Sequence, residues 1–399
     1  MLRGTPFHPR IEPLCVSHDW RRWAGYRVAS KYELTTEWEY HAIRNSAALI
    51  DVSPLYKYEI SGRDAEKLLN RVLCRNVAKL RPGRALYATW CDEHGKTLDD
   101  GVVARLRPDR FRLTAADPNL RWLEHNVRSL DVTIADVSQQ QAALAVQGPL
   151  SRQVVEAAAE VDLGPLRYFG LTEAAIAGNP VTISRTGYTG DLGYEIWMAA
   201  EAALSVWDRL MAVGEVYQLR PAGMLALDMA RIEAGLILIE VDYTSARAAI
   251  IPAQKSSPFE LGLAWTVDLD KPGYFVGRQA LEAEQRRGSP WTIAGLEIEW
   301  RSLETLYGRV NLPPAIPHTA WRGSAPIYAG KREAGYATSG CFSPLLKRYV
   351  VLATLQTQYA APGTELTMEV TVEHMRRQAV ARVVPTPFFD PPRKRSVSA

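Results

Sequence analysis

Apolar and polar residues alternate in short blocks along this chain, and the period of the alternation changes from block to block. Tyr56-Lys57-Tyr58-Glu59-Ile60 alternates with period two, as a half-buried strand does. Gly62-Arg63-Asp64-Ala65-Glu66 then opens an amphipathic helix in which Leu68, Leu69 and Val72 share one face. The pattern predicts strands over 85–91 and 98–106, joined across the glycine-containing hairpin Asp92-Glu93-His94-Gly95-Lys96. Further strands are predicted near 110–116, 131–136 and 142–147, and helices near 149–160, 200–213 and 222–235. Residues 38–50 read as one more helix. Strands and helices mix without a strict βαβ rhythm, which predicts an α+β fold with mainly antiparallel sheet. From about residue 278 short apolar runs alternate with Gly and Pro, as in 292–299, 335–339, 349–355 and 365–372, and predict a separate small β-barrel. The basic tail Pro391-Pro392-Arg393-Lys394-Arg395 reads as a frayed, solvated terminus.

Composition narrows the function. Among 399 residues, 47 basic against 44 acidic side chains leave a net charge of +3, too even for a dedicated nucleic-acid binder. No apolar run is long enough to span a membrane, and the first residues lack an apolar signal core. Cys15, Cys74, Cys91 and Cys341 form no CxxC pair and the seven histidines are dispersed, so no metal site is expected and a reducing cytoplasm suits the chain. Neither a P-loop nor a well-placed GxGxxG is present.

Five segments carry chemistry. Leu98-Asp99-Asp100-Gly101-Val102-Val103 puts two acids at the start of an apolar strand, where only one can point inward. An inward carboxylate must be paired, bound to a ligand or protonated. Ser184-Arg185-Thr186-Gly187-Tyr188-Thr189-Gly190-Asp191-Leu192-Gly193-Tyr194-Glu195 is a glycine-rich bend that lets backbone approach a flat ligand. Tyr188 and Tyr194 offer ring faces there, and Glu195 offers an acceptor for N–H donors. A plain hairpin with core tyrosines fits the same residues. The remaining segments are 145–149 with Gln147, Arg231-Ile232-Glu233-Ala234-Gly235, and Thr338-Ser339-Gly340-Cys341-Phe342-Ser343-Pro344.

In this order and spacing, together with Asp51-Val52-Ser53, Ser257-Pro258-Phe259-Glu260-Leu261-Gly262-Leu263 and Phe275-Val276-Gly277-Arg278-Gln279-Ala280-Leu281, these segments resemble the aminomethyltransferase family, the T-protein of glycine cleavage and its relatives. The resemblance runs from about Trp23 to the C-terminus. It implies a three-domain cloverleaf around a central hole that takes tetrahydrofolate. Residues 1–277 would form two interleaved folate-binding subdomains, roughly 1–50 plus 138–277 and 51–137, and 278–399 the barrel. By the same resemblance Asp100 sits beside the reacting nitrogens, and Tyr87, Tyr188 and Glu195 line the pterin site. Gln147 and Arg231 join them as folate-binding candidates.

Several positions depart from the family. Its Asp-Val-Ser-His-Met reads Asp51-Val52-Ser53-Pro54-Leu55 here, and an expected arginine is Leu227. Its Asn-containing segment reads Leu113-Thr114-Ala115-Ala116-Asp117. An insertion follows Arg231-Ile232-Glu233, from Asp242-Tyr243-Thr244-Ser245-Ala246-Arg247 onward. Folate residues kept with a changed donor entrance predict a demethylase that passes a methyl group from a small donor, such as a methoxylated aromatic acid, to tetrahydrofolate. In that reading Arg247 would take the donor carboxylate and Tyr243 the ether oxygen, and Asp100 would manage the folate proton. The alternatives are aminomethyl transfer from a lipoyl carrier protein, a methylene-folate-forming relative, and a non-catalytic folate binder. The segment matching the family's iron–sulfur members lacks their cysteine, reading Gly273-Tyr274-Phe275-Val276-Gly277.

Overall fold

The protein is described from a computed structural model covering residues 2–396. Three β-structures organise it. A five-stranded antiparallel sheet runs in spatial order Arg84–Cys91, Thr97–Arg107, Arg110–Ala115, Tyr56–Ser61, Thr133–Asp136. A six-stranded sheet runs Leu171–Ile176, Asn179–Ser184, Gly193–Ala199, Gln141–Gln147, Ala47–Asp51, Leu219–Pro221, with only the last pairing parallel. Residues 291–384 close a six-stranded antiparallel barrel. A small sheet of Arg3–Gly4, Tyr26–Ala29 and Trp20–Trp23 completes the set.

Each large sheet packs one face on helices, as alternation requires. In the five-stranded sheet Tyr58, Ile60, Val103, Phe111 and Leu113 meet Leu68, Leu69 and Val72 of helix Ala65–Val72, the apolar face expected from the sequence. In the six-stranded sheet Leu144, Val146, Ile183 and Ile196 meet helices Ser151–Ala159 and Ala203–Gly214 through Val154, Val155, Val206 and Leu210. The opposite faces carry the polar side chains discussed below. Helix Met224–Glu233 lies between the six-stranded sheet and the barrel. Its Ala226, Leu227 and Ala230 share a cluster with Ile50, Ala145, Trp197, Cys341 and Leu352.

Two readings of the sequence need correction. Residues 38–50 are not one helix: helix Glu37–Asn45 ends at Ser46, and Ala47–Asp51 is a fully buried strand of the six-stranded sheet. A continuous apolar run such as Ala-Ala-Leu-Ile carries no period, so helix and buried strand look alike. The basic tail is not frayed through Ser396. Arg185 donates from Nη2 to the carbonyls of Arg393 (3.1 Å), Lys394 (3.2 Å) and Ser396 (2.7 Å), and Arg393 makes a bidentate pair with buried Asp191 at 2.7 and 2.8 Å. Buried Asp191 and Arg185 need partners, and the tail supplies them. The change of texture at residue 278 falls on helix Arg278–Arg287, and the barrel begins at Trp291.

Gly101, in the strand after the two aspartates, has no room for a side chain, since a Cβ would lie 2.0 Å from the carbonyl oxygen of Thr114 in the neighbouring strand. Gly101→Ala must push two paired strands apart, and we expect a loss of about 3 kcal/mol in urea unfolding. A change near zero would mean that the two strands separate freely.

Candidate active site

Between the two sheets lies a polar slot. Residues opposite one another in antiparallel strands share a face, so the pairings Tyr87↔Val102↔Thr114 and Ala85↔Ala104↔Arg112 put these six side chains on one side of the five-stranded sheet. Asp100, two residues before Val102, faces the same way. From the other sheet come Ser184, Glu195 and Trp197, and with Leu171 they enclose a cavity against Ala85, Val102, Ala104, Arg112 and Thr114. Past Arg112 and Trp197 the space widens into an open cleft of about 610 Å³.

The two aspartates divide between the two faces. Asp99 points into the packed side and is fully buried. It accepts from the backbone N–H of Asp100 (2.8 Å) and Asp117 (3.0 Å) and from Asn119 Nδ2 (2.7 Å). Burial and the neighbouring Asp100 charge push its carboxyl well above the usual carboxylate range. Asp100 faces the slot. Tyr87 donates its hydroxyl to Oδ2 at 2.6 Å, and Tyr243, reaching over from the inserted segment, donates to Oδ1. Burial raises the Asp100 carboxyl, and the two phenols hold it down. Burial and the same carboxylate push both tyrosines far above 10, so they stay protonated donors. Tyr87 stacks on Trp265 with ring centroids 5.5 Å apart, and the Arg75 guanidinium lies 5.3 Å from the same indole, which is 58% exposed.

The glycine-rich bend is shaped from beneath by Gln147. Its amide donates to the carbonyl of Thr186 (3.2 Å) and accepts from the Thr189 hydroxyl (2.8 Å), and a Cβ on Gly187 or Gly193 would strike it. Gln147 is thus fully buried under the loop. Tyr188 donates its hydroxyl to the carbonyl of Ile237, in the segment after helix Met224–Glu233. Glu195 lines the slot, accepts from Thr186 Oγ1 at 2.6 Å, and is raised by burial, against which Thr186 and Arg112 act. Tyr194 does not join it. As the next residue along a strand it faces the other way, into the helix-covered core, where Arg152 donates to its hydroxyl.

The structure brings Tyr87, Asp100 and Tyr243 into direct contact, with Tyr188 near them, while Glu195 lines the cavity between the sheets and Gln147 stays beneath the glycine-rich bend. Arg231 is fully buried and engaged with Asp228 (2.8 Å) and Asp242, although its Nη2 has no partner. Arg247 donates to the carbonyl of Pro118 (2.6 Å) and to Asn119 Oδ1 (2.8 Å), which ties its guanidinium to the turn before helix Leu120–Val127. Leu227 belongs to the apolar cluster of Ile50, Met229 and Leu352, while the barrel's Arg322 reaches the adjacent Asp228 at 2.7 Å. Sequence reasoning missed Arg112. It is 4% exposed, lies 4.0 Å over Trp197, and its Nε is buried without a partner. Burial pushes it down to about 10, partly offset by Glu195. Its signal was available: in Arg110-Phe111-Arg112-Leu113-Thr114, alternation sets Arg112 against the apolar face. Asn119 and Trp265 were also missed, and Asn119 shows no pattern of its own.

No group of three or more His, Cys, Asp or Glu suited to a metal occurs among the described residues, and none of their helices is long and apolar enough to cross a membrane. The protein class defined by this fold and slot is that of two family models: the GCVT N-terminal domain matches residues 16–271, and the glycine cleavage T-protein C-terminal barrel domain matches 309–390. An aminomethyltransferase of Halalkalibacterium halodurans is 33% identical over 357 residues, covering 88% of this chain and 89% of its own. One from Bacillus pumilus is 33% identical over 394 residues, covering 98% and 99%. The glycine cleavage system aminomethyltransferase T of Bartonella henselae superposes over the whole of both chains with a TM-score of 0.83 at 23% identity, a likeness of fold. This chain belongs to the glycine cleavage T-protein family, whose work is one-carbon transfer with tetrahydrofolate.

The two phenols stabilise the charged form of Asp100, so removing either raises its carboxyl further. A reaction that uses the ionised carboxylate fails as pH falls through that value. We expect the acid limb of the kcat/KM profile to move to higher pH in Tyr243→Phe and in Tyr87→Phe. Limbs that coincide with the parent's would show that another group titrates.

Proposed function

We propose that this chain transfers an aminomethyl-derived carbon from a lipoyl carrier protein to tetrahydrofolate in the cytoplasm, with Asp100 at the reacting nitrogens. The observation that carries the reading is the Asp100 carboxylate held between two phenol donors. The names of the curated relatives favour the aminomethyl donor over the demethylation that the altered entrance led us to expect. In favour of a folate, the wall between the two facing sheets holds Glu195 and Arg112, and Arg112 Nε is a buried donor without a partner.

Bound tetrahydrofolate supplies the nucleophilic nitrogens that accept the carbon. The chain does the rest. A carboxylate has about four acceptor positions, and Tyr87 and Tyr243 fill two on Asp100, leaving room for a ligand N–H. Asp100, raised by burial, is suited to hold the proton that a reacting nitrogen gives up. Glu195 would take an N–H edge of the pterin and Arg112 Nε an acceptor atom. Tyr87, backed by Trp265, and Tyr188 give aromatic walls. Holding two reactants in one slot supplies much of the rate.

A second reading has one observation in its favour. The hydroxyl of Tyr243 lies at Asp100, where it could protonate a leaving oxygen, as demethylation of a methyl ether demands. Arg247, which that reading needs for a donor carboxylate, already gives two of its five N–H donors to Pro118 and Asn119.

The test offers the full chain tetrahydrofolate with a lipoylated, aminomethyl-loaded carrier or with a methoxybenzoate, and reads folate products by mass. We expect methylene-folate and ammonia with the carrier. Asp100→Asn should cut turnover at least about a hundredfold with folding intact. Methyl-folate from the methoxybenzoate without carrier would replace this reading with the demethylase. Folate bound with no product from either donor would leave a binding protein.

A further inference from the structure

We propose that Asp242 is a positioning residue through which the C-terminal barrel sets Tyr243 against Asp100. The inference rests on the reading that Asp100 and Tyr243 act at the reacting atoms, and it assigns a task to two segments that the slot itself leaves unused, Arg231–Gly235 and Thr338–Pro344.

The Asp242 carboxylate is fully buried and saturated. Oδ2 accepts from Arg231 Nη1 and from the backbone N–H of Leu238 at 2.9 Å. Oδ1 accepts from the Thr338 hydroxyl and from Ser339 Oγ at 2.7 Å. Four donors from three parts of the chain occupy the four acceptor positions a carboxylate has, so none is left for a ligand. The group serves as an anchor.

Consecutive residues of a regular strand point to opposite sides, so Thr338 and Ser339 could not both reach one carboxylate. In strand Arg332–Ser343 the pairing with Arg348–Gln356 slips between Ala337 and Ser339. The extra residue, Thr338, turns to the same side as Ser339. An irregularity of this kind bends a strand and re-aims a side chain, and it recurs next to active sites. Here it puts two hydroxyls on Asp242.

What Asp242 holds is short. The N–H of Asp242 bonds back to Leu238 O (2.8 Å) and Glu240 N–H to Tyr243 O (2.7 Å), closing a tight turn with Glu240 at φ 65°. Tyr243 is the next residue, and its ring rests on Ile237, Ile239, Leu261 and Leu263 with its hydroxyl on Asp100. One peptide bond separates the anchor from the phenol. A shift of the barrel strand therefore moves the phenol relative to the carboxylate, and a displacement of about 1 Å can cost roughly a hundredfold in rate.

The test uses the full chain carrying Thr338→Val with Ser339→Ala, and separately Asp242→Asn, each checked for a parent-like melting transition. With ¹³Cζ-labelled tyrosine, the Tyr243 resonance is assigned by its loss in Tyr243→Phe. We expect it to move in the anchor variants, and kcat to fall roughly tenfold while the KM for folate holds. In the Tyr243→Phe background the hydroxyl changes should lower kcat no further, because they act through the missing phenol. A Tyr243 resonance unmoved in folded anchor variants would overturn the proposal, as would an equal loss of kcat with and without the phenol. If Asp242→Asn fails to fold, the hydroxyl pair decides alone. The resonance reads the anchor even if no donor yields a folate product, an outcome that would defeat only the functional reading.

Discussion

The hydrogen bonds that two tyrosines give to one half-buried carboxylate are the constraint around which this molecule is arranged. Asp100 lies where two sheets face each other, and burial opposes its charge. Left alone, a buried carboxylate protonates or destabilises the fold. Tyr87 from the adjoining strand and Tyr243 from a segment 143 residues away answer both oxygens. The distant partner sets the harder requirement, because the inserted segment must be held in register with a sheet to which it contributes no strand.

Helix Met224–Glu233 supplies much of that register. Its three charged side chains each reach out of the helix. Asp228 accepts from Arg322 of the barrel, Arg231 grips Asp242, and Glu233 accepts from Arg44, Tyr40 and Ser343. Buried pairs of this kind add little net stability, but removing one partner costs about 3–5 kcal/mol, so they specify an arrangement more than they strengthen it. The segments Arg231-Ile232-Glu233 and Thr338–Ser343 are two halves of one clip, which explains charged and hydroxyl residues in otherwise apolar stretches.

Local pattern made much of this legible. The hairpin strands, the amphipathic helix Ala65–Val72 and the β-rich C-terminal part follow from periods of two and three to four. The division of Asp99 and Asp100 between two faces follows from alternation alone. The same rule separates Tyr194 from Glu195, yet both were read as facing the ligand, because a bend hid the point where the strand begins. Ala47–Ile50 misled for a different reason, since a fully buried strand has no polar face to give it a period. Arg112 was overlooked although its strand alternates, since a single arginine is unremarkable until a second sheet covers it. The partners of Arg247, the slip at Thr338 and the anchored tail depend on contacts between distant segments, which spacing does not encode.

The central claim is that Asp100, braced by Tyr87 and Tyr243, stands at the nitrogens that receive the carbon. A crystal structure of the full chain with a stable tetrahydrofolate analogue tests it most directly. The account predicts the pterin in the slot, an edge on Glu195, and a reacting nitrogen within hydrogen-bond reach of Asp100 with both phenols in place. Folate bound elsewhere, or a pterin whose reacting nitrogens face away from Asp100, would contradict it.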